Sequence, residues 1–298
     1  MIEARALTKR YGDKVAVDEL SFTVRPGQVT GFLGPNGAGK STTMRMIVGL
    51  DRPTAGTVTV SGRPYREHAA PLRQVGALLE AKAVHRGRTA HSHLLALAQT
   101  HGIAARRVDE VLGLAGLSDV AGKRVGGFSL GMGQRLGIAV ALLGDPATVM
   151  LDEPVNGLDP DGVVWVRNLL KGLAAEGRTV LVSSHLMSEM AVTAEHLVII
   201  GRGRLLADTT VDELIARVAV GSVLVRSPRA ADLRDLLVAH GAAVTATDSD
   251  AVQVVGLTAE KIGDLALDGG LPLYELTPRR ASLEEAYMEL TREAVEYR

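Results

Sequence analysis

The chain reads Gly34-Pro35-Asn36-Gly37-Ala38-Gly39-Lys40-Ser41 near its start, which fits the pattern G-x-x-x-x-G-K-[ST] at every fixed position. Residues 28–33 before it have the apolar character of a buried strand, and residues 40–48 after it have the composition of a helix. A glycine-rich turn between a strand and a helix directs backbone N–H groups and the positive end of the helix dipole at phosphates. The pattern therefore predicts a nucleoside triphosphate site, in which Lys40 reaches the β- and γ-phosphates and Ser41 contacts Mg²⁺. The alternative is a glycine-rich turn without a ligand.

The composition describes a nearly neutral chain with a sizeable core. Of the 298 residues, 46% are hydrophobic, which is enough for a main domain and a smaller one. The formal net charge is -1, so no overall field favours nucleic acid or an anionic membrane surface. The chain has no cysteine, which excludes disulfides and suits a reducing cytosol. No apolar signal segment or run of about 20 apolar residues is visible, so we expect neither export nor a membrane span.

Apolar periodicity divides the chain into an α/β core with a helical insertion. The first 30 residues alternate apolar and polar positions, which predicts an antiparallel β-element. Buried strands are predicted at 148–151 and 179–183, with a helix between them near 162–176. Residues 91–143 show helical spacing instead and form an inserted block. Strands joined by helical crossovers imply a mostly parallel sheet covered on both faces.

A different pattern begins after about Val220. Strand-like and helical segments alternate there in the order βαββαβ, which matches a ferredoxin-like unit. A last helix is predicted from Ser282, because Glu285 three residues later completes a capping box. We therefore expect two domains, at 1–218 and 219–298.

Two acidic residues, Asp152 and Glu153, follow the apolar strand at 148–151. The C-terminal ends of parallel strands open onto the ligand crevice, so both carboxylates are expected to face the phosphates. Asp152 suits the shell of Mg²⁺, and Glu153 suits the general base that orients and deprotonates the attacking water. An acidic pair after a strand is also an ordinary turn signal, but the phosphate site predicted upstream favours the catalytic interpretation.

Three further segments carry a resemblance to a known family. They are Phe128-Ser129-Leu130-Gly131-Met132-Gly133-Gln134-Arg135, Pro154-Val155-Asn156-Gly157-Leu158-Asp159 and Ser183-Ser184-His185. In this order around Asp152-Glu153 they resemble the signature, the D-loop and the switch histidine of ATP-binding cassette (ABC) ATPases. The resemblance covers about residues 1–215. The form of the signature and the appended C-terminal unit are similar to exporter ATPases of the bacitracin and daunorubicin resistance type.

The resemblance implies a fold, a reaction and partners. The expected fold is α/β, a P-loop NTPase core of ABC type with a mixed sheet and a helical subdomain at about 81–143, followed by the small ferredoxin-like α+β domain. The expected activity is ATP hydrolysis with Mg²⁺, coupled to export of drug, antibiotic or lipid-like cargo through separate transmembrane permease subunits. The expected location is cytoplasmic, on the inner face of the cell membrane.

The resemblance also assigns roles to individual residues. The implied nucleotide contacts are Tyr11, Gly34, Pro35, Asn36, Gly37, Ala38, Gly39, Lys40, Ser41, Thr42, Ser129, Gly131 and Asp159. The implied catalytic residues are Glu153 and His185, and the implied metal contacts are Ser41, Asp152 and Glu80.

The signature has a physical interpretation of its own. Ser129 is placed to cap a helix whose first N–H groups are free, and Gly131 allows a close backbone approach, so this helix start is a second anion site. Two helix starts cannot occupy the same place against one phosphate. We therefore expect the ligand to come from a second copy, with two chains head to tail around two ATP molecules. A capped helix without a ligand is the alternative.

Leu130 and Met132 depart from the glycine and glutamine that are usual in the family's signature. These departures weaken the expected side-chain contacts to the opposite ATP.

Two positions leave alternatives open. Glu80 takes the place of the family's glutamine that touches Mg²⁺ or water and senses the membrane partner, so it is either such a contact or a solvated loop residue. Tyr11, expected in a loop after the first strand, fits the aromatic residue that stacks on adenine. The alternative for Tyr11 is a lone turn tyrosine.

Two other functions compete with an exporter subunit. One is a soluble ABC ATPase acting on ribosomes or DNA, but such relatives commonly carry two cassettes or a long coiled coil, and the near-neutral charge gives no reason to expect nucleic acid. The other is a catalytically idle regulatory subunit, which is disfavoured because the expected site residues are all present. For the C-terminal unit we expect support of a homodimer, regulation of nucleotide access, or plain stabilisation.

Overall fold

A computed structural model describes residues 1–80, 84–218, 222–279 and 282–295. The chain divides into two compact units, the first comprising Met1–Thr210 together with the segment from Thr291, and the second comprising Val211–Leu290. The helical subdomain was expected to begin at residue 81 and the second domain at residue 219, and both positions lie outside the described ranges. The division into domains 1–218 and 219–298 stays a prediction.

The strands alternate with helices through most of the chain. The strands are β1 (Ile2–Tyr11), β2 (Lys14–Val24), β3 (Val29–Leu33), β4 (Ala55–Val60), β5 (Val75–Leu78), β6 (Thr148–Asp152), β7 (Thr179–Ser183), β8 (His196–Gly201), β9 (Arg204–Thr210), β10 (Ser222–Arg226), β11 (Ala243–Ala246), β12 (Ala251–Val255) and β13 (Glu275–Arg279). The α-helices are α1 (Lys40–Ile47), α2 (Pro71–Gln74), α3 (Ala90–Thr100), α4 (Arg106–Leu114), α5 (Leu130–Leu142), α6 (Pro160–Ala175), α7 (Met187–Thr193), α8 (Val211–Val218), α9 (Ala230–Ala239), α10 (Ala259–Asp268) and α11 (Leu283–Val295). Short 3-10 helices lie at Tyr65–Glu67, Ser118–Val120 and Val125–Gly127.

The central sheet of the first unit has the strand order β5-β6-β7-β3-β8-β9. Its strands are parallel except for β9, which pairs antiparallel with β8. Every residue of β3 and β7 is buried, as expected for parallel strands that are covered on both faces. The predicted mostly parallel sheet is therefore present, and its parallel strands bring their C-terminal ends to one edge.

A second sheet, of order β2-β1-β4, is antiparallel and forms the predicted N-terminal β-element. Its apolar residues share one buried cluster with α1 and with residues of the central sheet, including Met150 and Leu181. The rings of Phe22 and Phe32 stack across this cluster with centroids 5.5 Å apart. The helical insertion is formed by α3, α4 and α5, and several of its periodic apolar residues, such as Leu94 and Val111, are buried, whereas Leu114 is exposed.

The second unit has the predicted order βαββαβ. Its sheet is antiparallel with the order β11-β12-β10-β13, and α9 and α10 supply apolar residues to its buried cluster. The capping box predicted at α11 forms in both directions, because Ser282 N donates to Glu285 Oε2 at 2.7 Å and Glu285 N donates to Ser282 Oγ at 3.1 Å. Among the described residues, no helix combines the length and apolar character required to cross a bilayer.

Candidate nucleotide site

The glycine-rich turn connects β3 to α1 as its sequence predicts. Gly39, immediately before α1, has a φ of 104°, and a Cβ atom built on it would lie 2.5 Å from the carbonyl oxygen of Ala16. Both the backbone conformation and the close approach therefore require glycine there. Thr43 Oγ1 donates to Gly39 O at 2.9 Å, which ties the turn to the first turn of the helix. The N–H groups at the start of α1 are thereby held in the arrangement that binds anions.

Lys40 is half-buried and folds back over the turn. Its Nζ donates to Gly34 O at 2.5 Å and to Pro35 O at 3.3 Å. Burial lowers the pKa of Lys40, while the carboxylates of Glu153 and Asp152 oppose that shift. The ammonium group therefore lies in the field of both acids.

Ser41 and Asp152 meet at the start of α1 and the end of β6. Ser41 Oγ donates to Asp152 Oδ2 at 3.0 Å, and Ser183 Oγ donates to the other carboxylate oxygen, Asp152 Oδ1. Asp152 and Ser183 are register partners on neighbouring parallel strands, so the sheet itself sets this contact. A hydroxyl and a carboxylate that converge in this way are hard oxygen ligands of the kind that Mg²⁺ prefers, and the residues present therefore fit that ion.

Glu153 follows Asp152 in a left-handed backbone conformation, with a φ of 50°. Its backbone N donates to Ser183 Oγ at 3.0 Å. Its Oε2 atom accepts from the backbone N of His185 at 3.3 Å and lies 2.7 Å from His185 Nδ1. The structure thus brings together the two residues expected to be catalytic, with the histidine the more exposed of the two.

The start of α5 lies beside the segment that resembles a D-loop. Ser129 caps α5 by accepting from Met132 N at 3.2 Å, as predicted. A Cβ atom on Gly131 would lie 3.2 Å from Gly157 O, so glycine permits the close approach. Asp159 caps α6 by accepting from Gly162 N at 3.0 Å. Ser129 and Asp159 are both exposed at the ends of these helices.

Tyr11 is the last residue of β1, so the expectation of a loop was wrong. The turn after it consists of Gly12 and Asp13 alone, and Tyr11 is paired with Lys14. The residue is nevertheless 48% exposed, and its hydroxyl donates to Asp51 Oδ2 at 2.9 Å. Desolvation and this carboxylate raise the pKa of Tyr11.

Asp51 is held by a second partner and supports the tyrosine. Arg45 Nε donates to Asp51 Oδ2 at 2.8 Å, and this hydrogen bond lowers the pKa of Asp51. Lys9 Nζ lies 4.9 Å from the centre of the Tyr11 ring. The sequence did not identify Arg45 and Asp51 as neighbours of Tyr11, because both lie in later segments of the chain.

Glu80 is exposed and follows β5, the strand next to β6. Leu78 is paired with Leu151, so Glu80 leaves the sheet beside the strand that carries Asp152 and Glu153. Among the described residues Glu80 has no hydrogen bond or ion pair, and residues 81–83 after it lie outside the described ranges. Both interpretations of Glu80 therefore stay open.

Two residues of the site received no role from the sequence. Ser183 contacts both acids, and Gln134 Nε2 donates to Glu153 O at 3.2 Å. The serine at the end of an apolar strand was a usable signal for Ser183, because the strand at 179–183 was predicted as the next one in the chain after the strand at 148–151. Gln134 precedes β6 in the chain and Glu153 follows it, so no pattern of neighbouring residues could have indicated this pair.

Family models match both parts of the chain. The ABC transporter family matches residues 17–156, and a domain of unknown function matches residues 221–284. An uncharacterized ABC transporter ATP-binding protein of Bacillus subtilis (strain 168) is 36% identical over 304 residues, which is 99% of this chain and 97% of the relative. The bacitracin transport ATP-binding protein BcrA of Bacillus licheniformis is 43% identical over 220 residues, which is 73% of this chain and 72% of the relative. The Nod factor export ATP-binding protein I of Burkholderia orbicola (strain AU 1054) is 36% identical over 298 residues, 97% of this chain and 96% of the relative.

Solved structures give the same result. The ATP-binding subunit of an ABC transporter has a TM-score of 0.67 and 28% identity, covering 73% of this chain and 92% of its own. A dimeric ATP-binding cassette in a post-hydrolysis state, bound to ADP and phosphate, has a TM-score of 0.64 and 25% identity, covering 70% of this chain and 98% of its own. The fold is that of a P-loop ATPase of the cassette class. This chain belongs to the family of ABC transporter ATP-binding proteins, which confirms the resemblance and the fold expected from the sequence.

Proposed function

We propose that this chain is the subunit that binds and hydrolyses ATP for a membrane exporter, working from the cytoplasmic face with separate transmembrane subunits. One observation carries the catalytic part of the proposal. The P-loop lysine and serine, the acidic pair Asp152-Glu153 and His185 converge at the C-terminal edge of one parallel sheet. Phosphoryl transfer depends mainly on positioning and charge neutralisation, and this cluster supplies both.

The contacts support a division of roles within the cluster. We assign the phosphates to the turn at 34–39 and to Lys40, whose ammonium group exchanges its carbonyl partners for phosphate oxygens. Ser41 and Asp152 would hold Mg²⁺, which neutralises charge on the β- and γ-phosphates when bound. Glu153 orients the attacking water and accepts its proton, and His185 holds the Glu153 carboxylate. Tyr11 offers an exposed ring face to adenine.

The start of α5 supports a head-to-tail dimer. Ser129 and Gly131 lie at a capped, exposed helix start that is separate from the helix start at Lys40. Each therefore suits the phosphates of a different ATP molecule. We infer that Ser129 and Gly131 contact the nucleotide held by the second copy, with Asp159 nearby at the start of α6. A related cassette of known structure is a dimer.

The exporter part of the proposal rests on relatives that cover most of the chain. Two of them are named for bacitracin transport and for Nod factor export. We therefore propose cargo of the drug, antibiotic or lipid-like kind. We further propose that residues 1–218 are the ATPase domain, and that 219–298 form an accessory domain which supports the dimer or controls access to the nucleotide.

The decisive experiment uses Glu153→Gln, which keeps the size of the side chain and removes the base. We expect this variant to bind ATP with Mg²⁺ as tightly as wild type, to release phosphate on the order of 100 to 1000 times more slowly, and to accumulate as a dimer with ATP. Phosphate release, nucleotide titration and light scattering measure the three effects. Glu67→Gln, at an exposed position of a 3-10 helix, is the matched control.

Different results contradict different parts of the proposal. Rapid turnover by Glu153→Gln rejects Glu153 as the base, and a strict monomer with bound ATP and Mg²⁺ rejects the head-to-tail dimer. The exporter role predicts that a polypeptide with several bilayer-spanning segments, encoded beside this chain, co-purifies with it and changes its ATPase rate. Salt-sensitive binding of nucleic acid would instead support the competing function.

A further inference from the structure

Gln134 is a buried polar residue of α5 that contacts the proposed catalytic loop. Its side chain is 5% exposed, and its Nε2 atom donates to the backbone carbonyl of Glu153 at 3.2 Å. The two residues are 19 positions apart in the sequence, one on α5 and the other directly after β6. A buried amide with this single hydrogen bond to the main chain is costly to leave unpaired, so the contact is specific.

The carbonyl that Gln134 binds belongs to a strained residue. Glu153 has a φ of 50°, which a residue with a Cβ atom rarely adopts, and such a conformation persists only when its surroundings hold it. Two side chains contact the backbone of Glu153, Ser183 Oγ on its N–H side and Gln134 Nε2 on its C=O side, where the backbone N of Asn156 also donates at 3.2 Å. The backbone conformation sets the direction of the Glu153 side chain, so both contacts bear on where its carboxylate lies.

We propose that Gln134 is a positioning residue for Glu153. Its amide fixes the peptide plane after Glu153 and thereby keeps the carboxylate directed at the water. Because Gln134 lies on the helix that Ser129 caps, a shift of α5 is transmitted to Glu153 through this one hydrogen bond. The inference rests on the proposed role of Glu153 as the base.

The contacts of Arg135, the next residue on α5, argue against a purely structural role for Gln134. Arg135 Nη1 donates to Ala115 O at 3.1 Å, and its guanidinium lies 4.3 Å from the centre of the Trp165 ring. Trp165 Nε1 in turn donates to Leu114 O at 3.1 Å. These contacts hold α5 against α4 and α6, so the helix does not need Gln134 to keep its place.

The first test replaces Gln134 with leucine, which has a similar volume and no donor. We expect kcat for ATP hydrolysis to fall about 10- to 30-fold, because a catalytic group that is less well oriented loses rate. The Kd for ATP should stay within about twofold, since among the described residues the Gln134 side chain has no hydrogen bond to a residue assigned to the phosphates. Gln99→Leu, at an exposed position of α3, is the matched control and should leave kcat unchanged.

A second variant keeps the inference testable if leucine impairs folding. Gln134→Glu retains the shape of the side chain, but its carboxylate faces a carbonyl oxygen and donates a hydrogen bond only when protonated. The ratio of its kcat to that of wild type should therefore rise as the pH is lowered from 8 to 6. A ratio independent of pH, with hydrolysis at the wild-type rate, overturns the inference.

The combination with Glu153→Gln separates this inference from the proposed function. In that background Gln134→Leu should cause no additional loss of rate, because the group that it positions is already disabled. An equal loss in both backgrounds, or a loss confined to ATP affinity, overturns the role of Gln134. If Glu153→Gln alone hydrolyses ATP at the wild-type rate, the assignment of the base fails instead.

Discussion

Glu153 and His185 form one hydrogen-bonded unit at the edge of the central sheet. Glu153 Oε2 lies 2.7 Å from His185 Nδ1 and also accepts the backbone N–H of His185 at 3.3 Å. The two residues are 32 positions apart, at the ends of the neighbouring strands β6 and β7. The contact restricts the rotation of the Glu153 side chain, and a change at His185 should therefore alter catalysis more than binding.

Replacement of His185 tests this consequence. We expect His185→Ala to lower kcat on the order of 100-fold while the Kd for ATP changes little, because the carboxylate loses its orienting partner. Steady-state hydrolysis and nucleotide titration measure the two values. His101→Ala is the control, since the ring of that exposed histidine forms its described hydrogen bonds with Leu97 O and Thr100 Oγ1 of the preceding helix α3. A kcat within twofold of wild type would show that the contact has no catalytic role.

Ser183→Ala should raise the requirement for Mg²⁺. Ser183 donates to Asp152 and accepts from Glu153 N, so its removal frees the carboxylate and leaves a partly buried N–H unpaired. We expect the Mg²⁺ concentration for half-maximal hydrolysis to rise about three- to tenfold, and stability to fall by about 1–3 kcal/mol. Magnesium titration and thermal unfolding measure these effects, with exposed Ser188→Ala as the control. A loss of stability at an unchanged Mg²⁺ requirement would restrict Ser183 to a structural role.

Two glycines of the first unit should respond oppositely to alanine. A Cβ on Gly76 in β5 would collide with the carbonyl of Ala141 in α5 and with Pro146, so Gly76→Ala should destabilise by about 1–3 kcal/mol. Gly172 is an exposed position of helix α6 with open space around it, and Gly172→Ala should stabilise by about 0.5–1 kcal/mol. Thermal unfolding should move by roughly 2–4 °C per kcal/mol. Equal shifts for the two variants would contradict the packing of β5 against α5.

Stability at low pH should depend on Asp145. Its Oδ1 lies 2.8 Å from Arg178 Nη1 and 3.3 Å from Arg107 Nη2, and the hydrogen bond from Arg178 lowers its pKa. A carboxyl whose folded pKa is depressed adds stability above its unfolded pKa of about 3.9 and loses it as the pH falls through the folded value.

We therefore expect Asp145→Asn to unfold roughly 1–3 °C below wild type at pH 7, in keeping with the modest strength of exposed ion pairs. Asparagine tolerates the left-handed backbone at this position, where φ is 52°. The difference between the two proteins should shrink progressively as the pH falls below about 4, as thermal unfolding over a pH series would show. A difference that stays constant with pH would mean that the ion pairs do not cause it. Asp119→Asn, in an exposed 3-10 helix, is the control.

Much of the site was predictable because its parts are local. The turn at 34–41 needs glycines and a lysine within one short segment, and the cap at Ser129 needs only the next few residues of its own helix. Tyr11 shows where local reasoning failed. A two-residue turn extended the strand through it, and its partner Asp51 lies 40 positions away.

The amino-acid sequence by itself determined the class of the protein, the order of its strands and helices, and the residue types of the nucleotide site. Those features follow from periodicity and from short motifs, whose physical causes lie within a few consecutive residues. Only the tertiary structure decided which residues hold Glu153 in its strained conformation. Gln134, Ser183 and His185 reach Glu153 from a helix, a strand end and a loop, and contacts of this kind exist only once the chain has packed those elements around the C-terminal ends of β6 and β7.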